Sequence, residues 1–364
     1  MKLLINATIL STKNTGLGVY TYHVLKYIIP ILESNNIYFK ILVCDAEYLP
    51  MNAQKYALTV KFNNPLQRLN VIKRVSDEFD LLWSTTQHGV NSYKIKQIIT
   101  IHDITPILYP AGRLKQTIYY KFILSKIIRK SSKIITVSNN TLNDIKKTYK
   151  YSKNKIIVIP PALPECNTNT VVRFSDLSVK YNIVKKKYFV ITGIHYFYKN
   201  IQLVIEAFSK SRQLQDYKVI IIGNDKNKYG EYLKQLVNNK KLTGIVLFAK
   251  FVDNEEKETL LQNSAGAIYP SKYEGFGLPI LEAMANNIPL FASNISSIPE
   301  VAKDYAFYFD PNDIDDFTHS IIDNIDNVEL INQKIDLGKK YLMYYSWDRV
   351  ANKIFDVIKE IMYE

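Results

Sequence analysis

Glu274 and Glu282 stand eight residues apart and enclose a Gly275-Phe276-Gly277 turn that follows the apolar run Ala267–Tyr269. The combination suits an anionic, hydroxylated ligand. Glycines let the backbone approach closely. Open amides at the start of the next helix, with its dipole, favour a phosphate. Pro279 falls in the first turn of that helix, where proline is tolerated. A carboxylate at Glu274, in the loop, can accept bonds from sugar hydroxyls. One at Glu282, about a turn into the helix, can clasp the vicinal diol of a ribose. Two glutamates at this spacing alone would suit a plain strand-to-helix turn. The glycines, the proline and the next apolar run, Pro289–Ala292, favour ligand binding.

These residues need a scaffold, and the chain alternates short apolar runs with amphipathic stretches from end to end. The runs are Leu3–Ala7, Tyr38–Cys44, Leu81–Trp83, Ile98–Ile101, Ile134–Val137 and Ile156–Ile159. Tyr188–Thr192, Val219–Gly223, Val246–Ala249, Ala267–Tyr269 and Leu290–Ala292 follow. Runs apolar on both faces suit strands buried between helical layers, and the alternation implies parallel sheets with right-handed crossovers. Helices are expected at Tyr20–Leu32, Leu114–Arg129, Ile201–Ser209, Tyr229–Asn239 and Glu255–Asn263. A last amphipathic helix, Trp347–Met362, carries Val350, Ile354, Val357 and Ile361 on one side. The 364 residues suit two domains. Pro160, Pro161 and Pro164 cannot continue a sheet interior, so the boundary is expected near Pro160–Lys187. The resulting division is 1–165, 166–345 and 346–364, the last segment expected to pack back on the first domain.

Several function classes fall away early. No apolar run approaches about 18 residues, so no transmembrane helix is expected. The opening MKLLINATIL reads as a strand broken by Asn6 rather than a secretory signal. Cys44 and Cys166 imply no disulfide framework and fit a reducing cytoplasm. No His- or Cys-rich cluster has metal spacing. Asp313-Ile314-Asp315 has the form of a manganese-holding pair, but it opens an apparent helix, Phe317–Ile325, where capping explains it. The formal charge of +13 attracts polyanions. Without a compact basic-aromatic module, nucleic acid is not the expected partner.

The stretch YEGFGLPILEAMANNIPLFASNISSIPEV resembles the donor-binding signature of retaining glycosyltransferase family 4, above all its mannosyltransferase-like members that build bacterial-type polysaccharides. The opening INATILSTKNTGLGVYTYHVLKYI, then TIHDITPILYP, KIITVSNNTLNDI, GNDKNKY, FAKFVDNEE and SWDRVANKIFDVIKEI match in order. The likeness covers nearly the whole chain. It implies the α/β GT-B fold, two Rossmann-like doubly wound domains facing across a cleft. The first domain would take the acceptor and the second the nucleotide sugar.

The resemblance also implies roles, residue by residue. Thr15-Gly16-Leu17-Gly18 is the glycine loop near the donor diphosphate, giving Gly16 and Gly18 as donor-binding. His102 is the cleft histidine near the transferred sugar, and Asp103 either fixes its tautomer or caps the next turn. In GIHYFYKN, Lys199 meets the diphosphate, while Tyr198 stands where the family usually has arginine. His195 and Lys272 are further candidates to replace that charge, and His88 is an acceptor-side candidate. Phe251 and Val252 would contact the base, whereas Asp253 and Glu256 form a capping box. Gly275, Phe276, Gly277 and Leu278 would hold the diphosphate, with Glu274 on the sugar and Glu282 on the ribose. Glu300 recurs near the donor.

The implied reaction is metal-independent and retaining. It would move a hexose, mannose favoured, from a GDP- or UDP-sugar to a glycan or lipid-linked hydroxyl, with no cofactor. A GT-B epimerase or phosphorylase and a non-catalytic sugar-nucleotide binder are the rivals. Arg113, Lys115, Lys121, Lys126, Arg129, Lys130 and Lys133 are interleaved with Ile118, Tyr119, Phe122, Ile123 and Ile127. Such a helix can lie on an anionic membrane, giving an expected place in the cytoplasm or at the inner face of a membrane.

Overall fold

The computed structural model describes residues 1–10, 16–150, 155–165, 172–193 and 196–363. Thr15, Cys166 and His195 lie outside the described residues. The chain forms two compact units, Met1–Pro164 with Tyr345–Glu364, and Glu165–Tyr344.

In the first unit β1 (Lys2–Asn6), β2 (Tyr38–Val43), β3 (Ala57–Thr59), β4 (Leu81–Ser84), β5 (Lys96–Ile101), β6 (Lys133–Thr136) and β7 (Ile156–Val158) form one parallel sheet. Their order is β3-β2-β1-β4-β5-β6-β7. Leu3, Leu4 and Ile5 are fully buried on both faces, as a strand between helical layers must be. Leu3 pairs with Phe39 on one side and Leu81 on the other. The sheet therefore grows outward from β1 in both directions, and the β1/β4 boundary is its topological switch point.

The second unit repeats the plan with β8 (Tyr188–Thr192), β9 (Lys218–Ile222), β10 (Val246–Lys250), β11 (Gly266–Tyr269), β12 (Leu290–Ser293) and β13 (Phe307–Phe309). Its order, β10-β9-β8-β11-β12-β13, puts the switch between β8 and β11. In open parallel sheets, ligands bind outside the carboxyl ends of strands at such a point.

Two strands go beyond the sequence reading. β3 and β13 are three-residue edge strands, too short to stand out as apolar runs. The expected helix Leu114–Arg129 is interrupted. Leu114–Ile118 and Ser125–Lys130 are α-helical, and Tyr119–Leu124 between them forms a π-helical turn. The helix expected at Phe317–Ile325 begins earlier and spans Ile314–Ile322.

The helix Trp347–Tyr363 buries Val350, Ile354, Val357 and Ile361 with Ala351 and Ile358. These residues share one core with Tyr20, Val24, Leu25 and Ile28 of the helix Gly16–Ser34 and with the β1 side chains. Polar contacts fix both its ends on the first unit. The Trp347 indole donates to Leu163 O at 2.9 Å. Lys133 pairs with Glu360 at 2.5 Å, and Lys96 Nζ donates to Ile361 O at 3.1 Å. Among the described residues, no helix is long and apolar enough to cross a membrane.

Candidate functional site

The carboxyl ends of β8 and β11 bring together the second unit's main candidates. After β11 the chain turns through Glu274–Gly277 into the helix Leu278–Ala285. Gly277 requires its residue type, because its φ is +116° and a Cβ would lie 2.8 Å from Ile280 Cδ1. It offers no side-chain cap, Pro279 has no N–H, and Ile280 N donates back to Gly277 O. The loop after β12 clamps this turn. Ser296 Oγ accepts from Glu274 N at 2.9 Å and donates to Glu274 O at 2.7 Å. Ser297 Oγ reaches Phe276 O at 2.8 Å and Glu274 O at 3.0 Å.

Lys199 arrives from the other side of the switch. β8 ends at Thr192, and Gly193 after it takes a φ of +91°, which suits glycine. A short 3-10 turn, Phe197–Lys199, then returns the lysine over Gly193. Its Nζ lies 2.6 Å from Glu274 Oε1, both side chains being largely buried at 16% and 12% exposure. The same ammonium is 5.7 Å from the Tyr269 ring centre. Tyr269 also hydrogen-bonds Glu274, and burial first, then the Glu274 charge, push its hydroxyl well above the usual range. Tyr198, at the expected arginine position, contributes its backbone: its carbonyl accepts from Lys272 N at 2.7 Å, tying the two loops together.

Glu282 has a partner that the sequence reading missed. Lys257 Nζ, from the helix Asn254–Gln262, lies 2.8 Å from Glu282 Oε1. No motif marks Lys257, since the pairing spans 25 residues and depends on how two helices pack. Phe251 and Val252 follow a register shift at the end of β10, where Lys250 takes a positive φ of 58°. The kink leaves Phe251 69% exposed and Val252 half-buried. Asp253 caps the next helix through Glu256 N at 2.7 Å. Glu256 does not complete a capping box; its carboxylate takes Lys180 and the Tyr181 hydroxyl, both at 2.7 Å. Asp313 likewise caps the helix Ile314–Ile322, accepting from Asp315 N and Asp316 N.

In the first unit, His102 follows β5 and rests edge-on against Tyr20 at 4.5 Å between ring centres. Its Nε2 lies 3.1 Å from Thr85 O, which makes Nε2 the protonated nitrogen of a neutral ring. Burial lowers the imidazole from its ordinary range, opposed by the Thr85 bond and the Asp103 charge. Of the two roles open to Asp103, the structure shows capping: Oδ1 accepts from Thr105 N at 2.8 Å and Thr105 Oγ1 at 2.5 Å. His88 lies after β4 with Nδ1 2.8 Å from Thr86 Oγ1. Gly16 and Gly18 open the first turn of the helix Gly16–Ser34, Gly18 buried and Gly16 exposed. Among the described residues, a Cβ at Gly16 would meet nothing within 4 Å.

The basic helical stretch also sorts itself. Arg113 is buried and donates to Thr105 Oγ1 at 2.9 Å, Lys133 is paired with Glu360, and Ile127 is in the core. They therefore leave the expected surface. The exposed set is Leu114 (73%), Ile118 and Phe122 (63%) among Lys115, Lys121, Lys126 and Arg129.

Comparison with known proteins gives a consistent picture. The model of glycosyl transferases group 1 matches residues 174–340, and that of glycosyltransferase family 4 matches residues 51–164. The chain is 30% identical over 278 residues to the O-antigen chain mannosyltransferase RfbU of Salmonella typhimurium, covering 76% of this chain and 72% of the relative. It is 26% identical over 286 residues to the O-antigen chain mannosyltransferase B of Escherichia coli, covering 75% and 73%. A glycosyltransferase structure from Rickettsia africae superposes with a TM-score of 0.74 at 19% identity, covering 99% of this chain and 98% of that one. Anabaena HepE in complex with UDP-glucose gives 0.74 at 15% identity, covering 99% and 100%.

Proposed function

The chain belongs to the family 4 glycosyltransferases, and we propose that it moves a hexose, mannose favoured, from a nucleoside-diphosphate sugar to a hydroxyl acceptor with retention and without a metal. The relatives' names support mannose, and the acceptor by the same analogy is a growing or lipid-linked glycan. The observation that carries the reading is Glu274, held by Lys199 at 2.6 Å on the uncapped turn before the helix Leu278–Ala285.

In this reading the second unit holds the donor. Phe251 and Val252 face the base, Glu282 takes the ribose diol and the Gly275–Leu278 backbone receives the diphosphate. Glu274 grips the sugar hydroxyls, and on donor binding Lys199 exchanges part of its contact with Glu274 for a diphosphate oxygen. The first unit serves the acceptor, with neutral His102 positioned to hydrogen-bond a hydroxyl. The acceptor oxygen forms the new bond at the anomeric carbon from the side that the diphosphate leaves. The sugar–phosphate bond breaks, its electron pair goes to the phosphate oxygen, and that oxygen takes the acceptor's proton. No protein nucleophile and no cofactor enters the balance.

The exposed Leu114, Ile118 and Phe122 among lysines support a peripheral contact with an anionic membrane, from the cytoplasmic side. A thermal-shift panel of sugar nucleotides tests the donor, since binding to the folded state raises stability. A GDP- or UDP-sugar that raises Tm, and is consumed only with a hydroxyl acceptor, supports the proposal. Consumption without any acceptor indicates epimerisation instead, and binding without turnover a non-catalytic binder.

A further inference from the structure

Arg68 is a largely buried guanidinium with no carboxylate partner among the described residues. It lies on the helix Pro65–Ser76, and its Nε donates to Thr8 Oγ1 at 2.9 Å, just beyond the carboxyl end of β1. Among the described residues that is its one hydrogen bond to a side chain, and Nη2 is buried with no partner. The Phe62 ring, 5.8 Å away, covers part of the group.

Buried charges are normally paired, and an unpaired one is costly. Here the cost is visible in the neighbours. Burial pulls the Arg68 guanidinium down to about 10, while Tyr119 and Cys44 oppose that shift. After burial itself, the Arg68 charge is what holds His88 down. The charge therefore sits among Thr8, Cys44, His88 and Tyr119. Thr8 follows β1 and His88 follows β4, the two strands that flank the switch point of this sheet.

The surroundings are polar and already organised. Asn6 Nδ2 and Ser84 Oγ both donate to His88 O, at 2.8 and 3.0 Å. Asn6 Oδ1 in turn accepts from Thr8 N and Thr8 Oγ1, at 3.2 and 2.7 Å. Thr8 Oγ1 is thus fixed as the acceptor for Arg68 Nε, and Nη2 of the guanidinium fork is left without a partner among the described residues. An arginine fork matches a phosphate or carboxylate by two parallel N–H···O bonds.

We propose that Arg68, held in place by Thr8 and lying beside His88, forms an oxyanion-binding site at the β1/β4 switch point of the first unit, which takes a phosphate or carboxylate group of the acceptor. Assigning the ion to the acceptor rests on the transferase reading; the binding of the ion does not.

The test measures Tm of the full chain with sodium phosphate, with sodium glucuronate and with sodium chloride at equal ionic strength. GDP and UDP are present in excess throughout, so that the nucleotide site is occupied. Phosphate, glucuronate or both raise Tm beyond chloride, and the more effective ion identifies the acceptor's group as phosphoester or carboxylate. The increment, taken against each variant's own baseline, falls at least tenfold in apparent affinity in Arg68→Met and is partly kept in Arg68→Lys. Arg68→Gln serves where Arg68→Met does not fold. Equal increments in the native chain and the charge-free variant, or no increment in the native chain, overturn the site. The nucleotide shift is recorded separately, so its loss would count against the donor assignment alone.

Discussion

Lys199 and Glu274, 75 residues apart in the chain, meet at 2.6 Å across the β8/β11 switch point. The pair fixes each group before any substrate arrives. It also means that neither acts alone, since each loses its counter-charge when the other is removed.

Glu274→Ala and Lys199→Ala are each expected to lower kcat about 10²- to 10³-fold, the scale seen when a preorganised charge stabiliser is removed. Circular dichroism should show a folded chain in both. Wild-type turnover in the two variants would falsify the assignment.

Lys257→Met leaves Glu282 without its ammonium partner at 2.8 Å. A misplaced Glu282 weakens ribose binding, in ground state and transition state alike. The expected result is a donor KM raised about tenfold, or ~1.4 kcal/mol, with kcat within about twofold. A fall in kcat at constant KM would assign Lys257 to the chemical step instead.

Stability is expected to fall in mild acid. Burial and the Arg68 charge hold His88 well below its usual range, and burial lowers His102. The unfolded chain, with histidine near about 6.5, binds more protons than the native state in the window just below that value. The contribution of these rings is therefore whole above about pH 7 and is lost progressively as pH falls below about 6.5 towards their lowered native values. His88→Gln should flatten a plot of Tm against pH over this range. An unchanged slope would show that His88 is not the titrating group.

Flotation with vesicles containing anionic lipid should recover the chain at low salt and lose it as salt rises, because surface charges are screened. Ile118→Ser with Phe122→Ser removes two exposed apolar side chains and should abolish flotation while leaving soluble donor binding intact. Flotation of the double variant at wild-type level would move the contact elsewhere.

The sequence made the donor turn readable because glycine, proline and two glutamates are constrained locally. Gly277 needs its positive φ, and Glu274 and Glu282 are placed by the strand and helix around them. Lys257, Ser296 and Ser297 left no such mark, because their roles depend on neighbouring elements that meet only in the folded unit. The buried strands were visible as apolar runs, while β3 and β13, short and at the sheet edges, were not. The basic helix was misread in part for a related reason. The π turn at Tyr119–Leu124 changes which side faces inward, and Arg113 turns to Thr105.

The helix Trp347–Tyr363 carries a consequence for biosynthesis. The ribosome delivers β1 through β7 first, yet the apolar stripe of Tyr20, Val24 and Ile28 finds its covering wall only after Glu165–Tyr344 has emerged. The middle portion of the chain can finish folding while the earlier portion waits, greasy and incomplete. A nonsense codon shortly before Trp347 would strand that portion permanently, a natural client for chaperones and proteases.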